Sequence, residues 1–192
     1  MPRAKEFDET EVLEKALELF RARGFKHTSF DDLTRELGVS RQSLYDTYGD
    51  KNTLYHAALK RYLDRGLGYF SRTLDDEAPI KEVVGRLFEG ILENQCSKNA
   101  TGCLMVNTMV ELSPHDQEIR ALLQGHARAI EGLFLARFSA AQRKGQISRS
   151  KDPLALAQYF HNILLGIGVG SRALGNPDAL RATVAVALTV LD

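Results

Sequence analysis

The stretch from Thr28 to Lys51, TSFDDLTRELGVSRQSLYDTYGDK, constrains this chain more than any other. Phe30, Leu33 and Leu37 recur at the three- and four-residue spacing of one buried helical face, and Thr28 and Ser29 offer hydroxyls where such a helix begins. Gly38 supplies the backbone freedom that a helix end requires, Val39 is an apolar plug for a corner, and Ser40 is suited to cap the next helix. The pattern is a helix-turn-helix. In its second helix Leu44 and, more loosely, Tyr48 point inward, leaving Arg41, Gln42, Ser43, Tyr45 and Thr47 for the outer face and its rim. Such a face suits a DNA major groove, because Arg and Gln make paired hydrogen bonds to base edges while Ser, Thr and Tyr reach phosphates.

With the preceding GFKHT and the following LYHAAL, the stretch resembles the DNA-binding domain of the TetR family of bacterial transcriptional regulators. In that family a Thr opens the second helix, a G-V-S-type turn leads into a recognition helix with Leu-Tyr at its middle, and a Lys begins the fourth helix. Thr28, Gly38-Val39-Ser40, Leu44-Tyr45 and Lys51 match those places. Pattern and resemblance together mark Thr28, Ser40, Arg41, Gln42, Ser43, Tyr45, Thr47, Tyr48 and Lys51 as the DNA-binding residues. One position departs from the family, where an aromatic residue or His often follows the Leu-Tyr pair and here stands Asp46. Asp46 either accepts a bond from cytosine or holds Arg41 or Lys51 in place.

Bulk charge does not help a DNA-binding reading, since 25 basic residues face 25 acidic ones and residues 1–66 alone hold twelve of each. Binding must rest on local placement. The acids gather on the first helix, from Glu6 to Glu18, and around Asp31, Asp32 and Glu36, which the sequence places away from the contact edge.

Helical periodicity continues through the chain, over 8–23, 50–74, 80–97, 102–112, 116–144, 153–174 and 177–191. The breaks are Gly24, DDEAP at 75–79, Ser97-Lys98-Asn99, Ser113-Pro114, the GQISRSKDP loop and Gly175-Asn176-Pro177, with Pro79 suited to a first helical position. The expected fold is all-α with about nine helices: a three-helix DNA-binding domain over 1–52, then an effector-binding and dimerisation domain over 53–192. No run approaches the roughly 18 apolar residues of a membrane span, and the charged start MPRAKEFDE is unlike a secretory signal. A cytoplasmic protein with no membrane partner is expected. The helices from 153 onward are too apolar for a free surface, so residues 153–191 are expected to form a homodimer's four-helix bundle, as the resemblance also implies. Gly166, Gly168 and Gly170 lack the strand and the Lys-Ser/Thr of a phosphate loop and are read as close helix packing.

Catalysis finds no support. The five histidines are scattered, no H-E-x-x-H or G-x-S-x-G motif occurs, and Cys96 and Cys103 fit no standard zinc spacing, so no catalytic residue, metal or cofactor is expected. The resemblance implies an effector pocket between the fourth and eighth helices. Its candidate lining is Phe70, Phe88, Phe134 and Phe138, which are equally core-type residues, with Cys103, Asn107 and His161. Asn107 is satisfied either by Glu111 or by a bound molecule. His161 is an interior histidine or a ligand contact. Cys103, at a helix start that favours a thiolate, is a sensor of oxidants and electrophiles or an inert packing residue. The expected function is a homodimeric repressor released from a palindromic double-stranded operator by a small molecule or a redox or electrophile signal. The alternatives are a helical protein-interaction adaptor and a helical enzyme without a recognisable motif.

Overall fold

The computed structural model describes residues 7–96 and 102–192. The Ser97-Lys98-Asn99 break, the end of the helix expected over 80–97, and Glu6 lie outside the described residues. Among the described residues there are nine α-helices and no strand: α1 Glu9–Arg23, α2 Phe30–Leu37, α3 Arg41–Tyr48, α4 Lys51–Leu74, α5 Ile80–Gln95, α6 Leu104–Glu111, α7 Gln117–Arg143, α8 Pro153–Ala173 and α9 Pro177–Leu188.

Helix starts follow short polar side chains that accept from otherwise unpaired amides: Asp8, Ser29, Ser40, Asp50, Asp116, Asp152 and Asn176. At α2 the cap is reciprocal, because the Ser29 hydroxyl accepts from the Asp32 amide at 3.0 Å and the Asp32 carboxylate accepts from the Ser29 amide at 3.0 Å. Gly38 ends α2 at φ 66°, the left-handed conformation that turns the chain into α3. Pro79 does not sit inside α5 as expected. It is the residue before the helix, which starts at Ile80.

Two cores divide the molecule. The head core joins Leu17, Phe20, Leu33, Leu37, Leu44 and the first half of α4, and it reaches into the rest of the chain through Leu104, Ile119 and Leu123. The body core is a stack of rings, with Phe134 at 5.4 Å from Phe138, 6.0 Å from Phe160 and 5.9 Å from Phe70. Helix α4 belongs to both. Two glycines of α8 carry the close packing expected of them: a Cβ on Gly168 would stand 2.8 Å from Val106, and one on Gly170 would stand 2.9 Å from Leu180. Gly166 has open space around it. Leu154, Tyr159, Val169 and Val186 are exposed on α8 and α9.

Candidate nucleic-acid interface and internal cavity

Helix α3 presents a polar face whose side chains hold one another. Ser40 is exposed; it accepts from the Ser43 amide at 3.1 Å, and the two hydroxyls lie 2.8 Å apart. Arg41 is ion-paired with Asp31 and lies 5.4 Å above the Phe30 ring and 5.8 Å from that of Tyr45. The Gln42 amide donates to Asp46 at 2.7 Å. Tyr45 is exposed and stacks on Phe30 at 4.7 Å, while Thr47 is half-buried at the rim. Two expectations are thereby corrected. Asp46 holds Gln42 and not Arg41 or Lys51, and Asp31 stands at the contact edge because α2 packs its first turn beside the start of α3. The Arg41–Asp31 pair is largely exposed, and such pairs contribute about 0–1 kcal/mol, so it holds Arg41 only weakly.

Three residues expected on this face are engaged elsewhere. Thr28 is fully buried and its hydroxyl donates to the Gly24 carbonyl at 2.7 Å. Tyr48 is buried on the inward side of α3, and burial raises its pKa. The Lys51 ammonium donates to the Phe25 and Thr28 carbonyls, each at 3.1 Å, and lies 4.0 Å above the Phe25 ring. Lys51 thus clamps the α1–α2 corner onto α4. A second clamp comes from the body, where the Glu111 carboxylate accepts from the Phe25 and Lys26 amides at 3.3 and 2.9 Å. A third is buried: Tyr55 of α4 donates to Thr108 of α6 at 2.7 Å, and Thr108 in turn donates to the Leu104 carbonyl. Burial pushes the Tyr55 phenol up to about 12.

Behind the head lies a cavity of about 510 Å³, walled by α1, α4, α5, α7, α8 and the start of α6. Of the expected lining residues, Phe70, Cys103 and His161 border it. Phe88, Phe134 and Phe138 do not, because they are fully buried against one another and Phe160 in the body core. Asn107 faces a different groove, beside Arg23 and Arg172, with its amide nitrogen buried and unpartnered; Glu111 is engaged by the head amides and does not serve it. Sequence reasoning missed Arg21, Tyr62, Tyr69 and His126 on the cavity wall. A signal for the space was present: Gly66 and Gly68 inside α4 and Gly90 inside α5 all line it, and glycine within a helix costs about 1 kcal/mol.

Cys103 stands before the first turn of α6, buried, with the Tyr62 hydroxyl donating to its sulfur at 3.4 Å. Burial pushes the Tyr62 phenol well above its ordinary value, with the neighbouring Cys103 adding to the effect. Nδ1 of His161 is 2.8 Å from the Glu131 carboxylate, and burial, followed by the charge of His161, lowers the pKa of His126.

Comparison with known proteins decides what this arrangement belongs to. A family model described as bacterial regulatory proteins, tetR family, matches residues 12–58, and one described as tetracyclin repressor-like, C-terminal domain, matches residues 80–187. The chain belongs to the TetR family. Over the full length of both chains it is 34% identical to YezE, an uncharacterised HTH-type transcriptional regulator of Bacillus subtilis (strain 168). It is 28% identical to the HTH-type transcriptional repressor ComR of Escherichia coli (strain K12), over 88% of this chain and 82% of that one. Among solved structures, a cysteine mutant of the TetR family regulator CifR in complex with 26bp double-strand operator DNA superposes with a TM-score of 0.87 at 27% identity, covering 100% of both chains. The reduced form of E. coli NemR superposes with a TM-score of 0.86 at 19% identity over 95% of this chain and 96% of that one, a likeness of fold. As a TetR-family member the protein is a DNA-binding transcriptional regulator and not an enzyme, with α2 and α3 as its helix-turn-helix. No helix among the described residues is long and apolar enough to cross a membrane.

Proposed function

We propose that this TetR-family protein is a cytoplasmic homodimeric repressor that leaves a palindromic operator when a small molecule enters the cavity behind its head. Residues 1–52 carry operator binding and residues 53–192 carry dimerisation and effector binding, with the dimer formed through 153–191. The observation that carries the reading is that the cavity and the head share their walls. Helices α1, α4 and α6 line the cavity, and two of them, α4 and α6, hold the α1–α2 corner through Lys51 and Glu111. A ligand that moves them shifts the recognition helices of both protomers, and the two can no longer meet half-sites spaced about 35 Å apart, or a multiple of it.

On α3, Ser40, Arg41, Gln42, Ser43, Tyr45 and Thr47 serve as contacts, with Arg41 reading a base. Fluorescence anisotropy on DNA upstream of the protein's own coding sequence tests this. Arg41→Ala should cost about 1–3 kcal/mol on the preferred operator and relax base preference. An unchanged preference removes Arg41 from the reading face. Sedimentation tests the dimer: Val186, which is exposed on α9, should yield monomers with weak operator binding when replaced by Glu. A wild-type chain that is monomeric at micromolar concentration overturns the bundle.

A second reading rests on the Cys103 thiol at the cavity wall, which receives the Tyr62 hydrogen bond. An oxidant or electrophile that enters the cavity would modify it and add bulk at the start of α6. Operator release on peroxide or quinone treatment, compared between wild type, Cys103→Ser and Cys96→Ser, separates the two. Release that persists in Cys103→Ser leaves reversible ligand binding.

A further inference from the structure

We propose that the cavity receives a small organic anion, a carboxylate or similar acid on an apolar frame, with its charged group set toward Arg21 and Arg72. This deepens the effector reading and rests on it. Two buried, unpartnered nitrogens belong to side chains of the lining, and the one on Arg21 carries the inference. His161, 6% exposed and on the cavity lining, gives its Nδ1–H to Glu131 at 2.8 Å, and its Nε2 is buried with no hydrogen-bond partner among the described residues. Arg21, on α1, donates to Glu18 at 2.9 Å and to the Gly102 carbonyl at 3.4 Å, and its Nε–H is likewise buried without an acceptor. Interior polar groups are normally satisfied, and the Arg21 Nε–H left open beside the cavity marks where a ligand's acceptor belongs.

Charge selects the class. The two acids on the lining, Glu18 and Asp64, are already paired with Arg21 and Lys60. Arg72, exposed on the lining, has no acid partner among the described residues. A cation would meet uncompensated positive charge there, whereas an anion neutralises it. Phe70, Ile130 and Leu164 supply the apolar remainder, and about 510 Å³ lies within the range that holds a small organic ligand.

Titration calorimetry on the full-length protein tests this with octanoate, decanoate and phenylacetate against octanol, decanol and phenylethanol. The acids should bind about tenfold or more tightly than their alcohols. Arg72→Gln should weaken acid binding about tenfold and leave the alcohols unchanged. Gly90→Ala should abolish binding of both series, because the added Cβ would stand 2.1 Å from the Tyr69 hydroxyl and drive that ring into the cavity. Alcohols that bind as tightly as the acids, an Arg72→Gln variant that weakens both series equally, or acids that do not bind each overturn the proposal. Operator binding by the ligand-free protein is measured in parallel, and its failure counts against the repressor reading and not against the anion preference.

Discussion

The head is built around helices α2 and α3, each only eight residues long, while the body is built around five phenylalanines carried by helices of 16 to 27 residues. Helices of eight residues are marginal alone, so the head depends on what is fastened to them: the Ser29–Asp32 capping box, the Lys51 clamp and the Glu111 grip. The body has polar ties of its own, such as Arg137 to the Asp76 and Ala78 carbonyls, but its centre is apolar. Its rings interlock, and beside them it leaves a cavity. Polar ties exchange partners at small cost, whereas packed rings move between discrete arrangements, so a disturbance at the cavity has its softest outlet in the corner held by Lys51 and Glu111.

The comparison is broken most severely in the body. Phe134→Ala removes a fully buried ring that touches three other phenylalanines and should cost about 3–5 kcal/mol in denaturant unfolding. A loss below about 1 kcal/mol would show that the stack is not what supports the body.

Glu111→Ala should cost less, about 1–3 kcal/mol, and the loss should be local. Hydrogen exchange at the Phe25 and Lys26 amides should speed up and operator affinity should fall, with the body's protection unchanged. Uniform loss of protection would make Glu111 a general stabiliser and not a tie between the regions.

Lys51→Met sharpens the contrast between clamp and contact. With both donated bonds going to carbonyls, it should destabilise the head by about 1–2 kcal/mol and leave the salt dependence of DNA binding unchanged. A salt slope lowered by about one would return Lys51 to the phosphates.

The smallest effect is acidic. The Asp32 carboxyl is held down at about 2, against an ordinary 3.8, first by bonds from the Ser29 side chain and amide and then by Arg35. A pKa depressed by folding gives stability that is present above 3.8 and lost as pH falls toward 2. The difference between wild type and Asp32→Asn, followed by circular dichroism, should therefore vanish through that window.

The all-helical fold, the helix-turn-helix and nearly every helix start were legible because they rest on local chemistry: apolar spacing, a hydroxyl or carboxylate at a cap, a glycine at a left-handed turn. Ser40, Arg41, Gln42 and Tyr45 were assigned to an outer face by the same spacing, and they are exposed. The pairings among them were not legible. Nothing in the chain order says that Arg41 meets Asp31 or that Asp46 takes Gln42, since each acid has several basic or amide groups within reach of a turn.

What the sequence by itself determined is where this chain is helical, where it turns and which family's head it carries. Tertiary structure alone decided which aromatics fill the body and which face the cavity, that Thr28 is buried, and that Lys51 and Glu111 hold the corner between α1 and α2. The physical reason is that periodicity reports only that a side chain points inward. Whether it meets another ring, a carbonyl or an empty space depends on helices far apart in the chain, as with Glu111 and Lys26 or Cys103 and Tyr62.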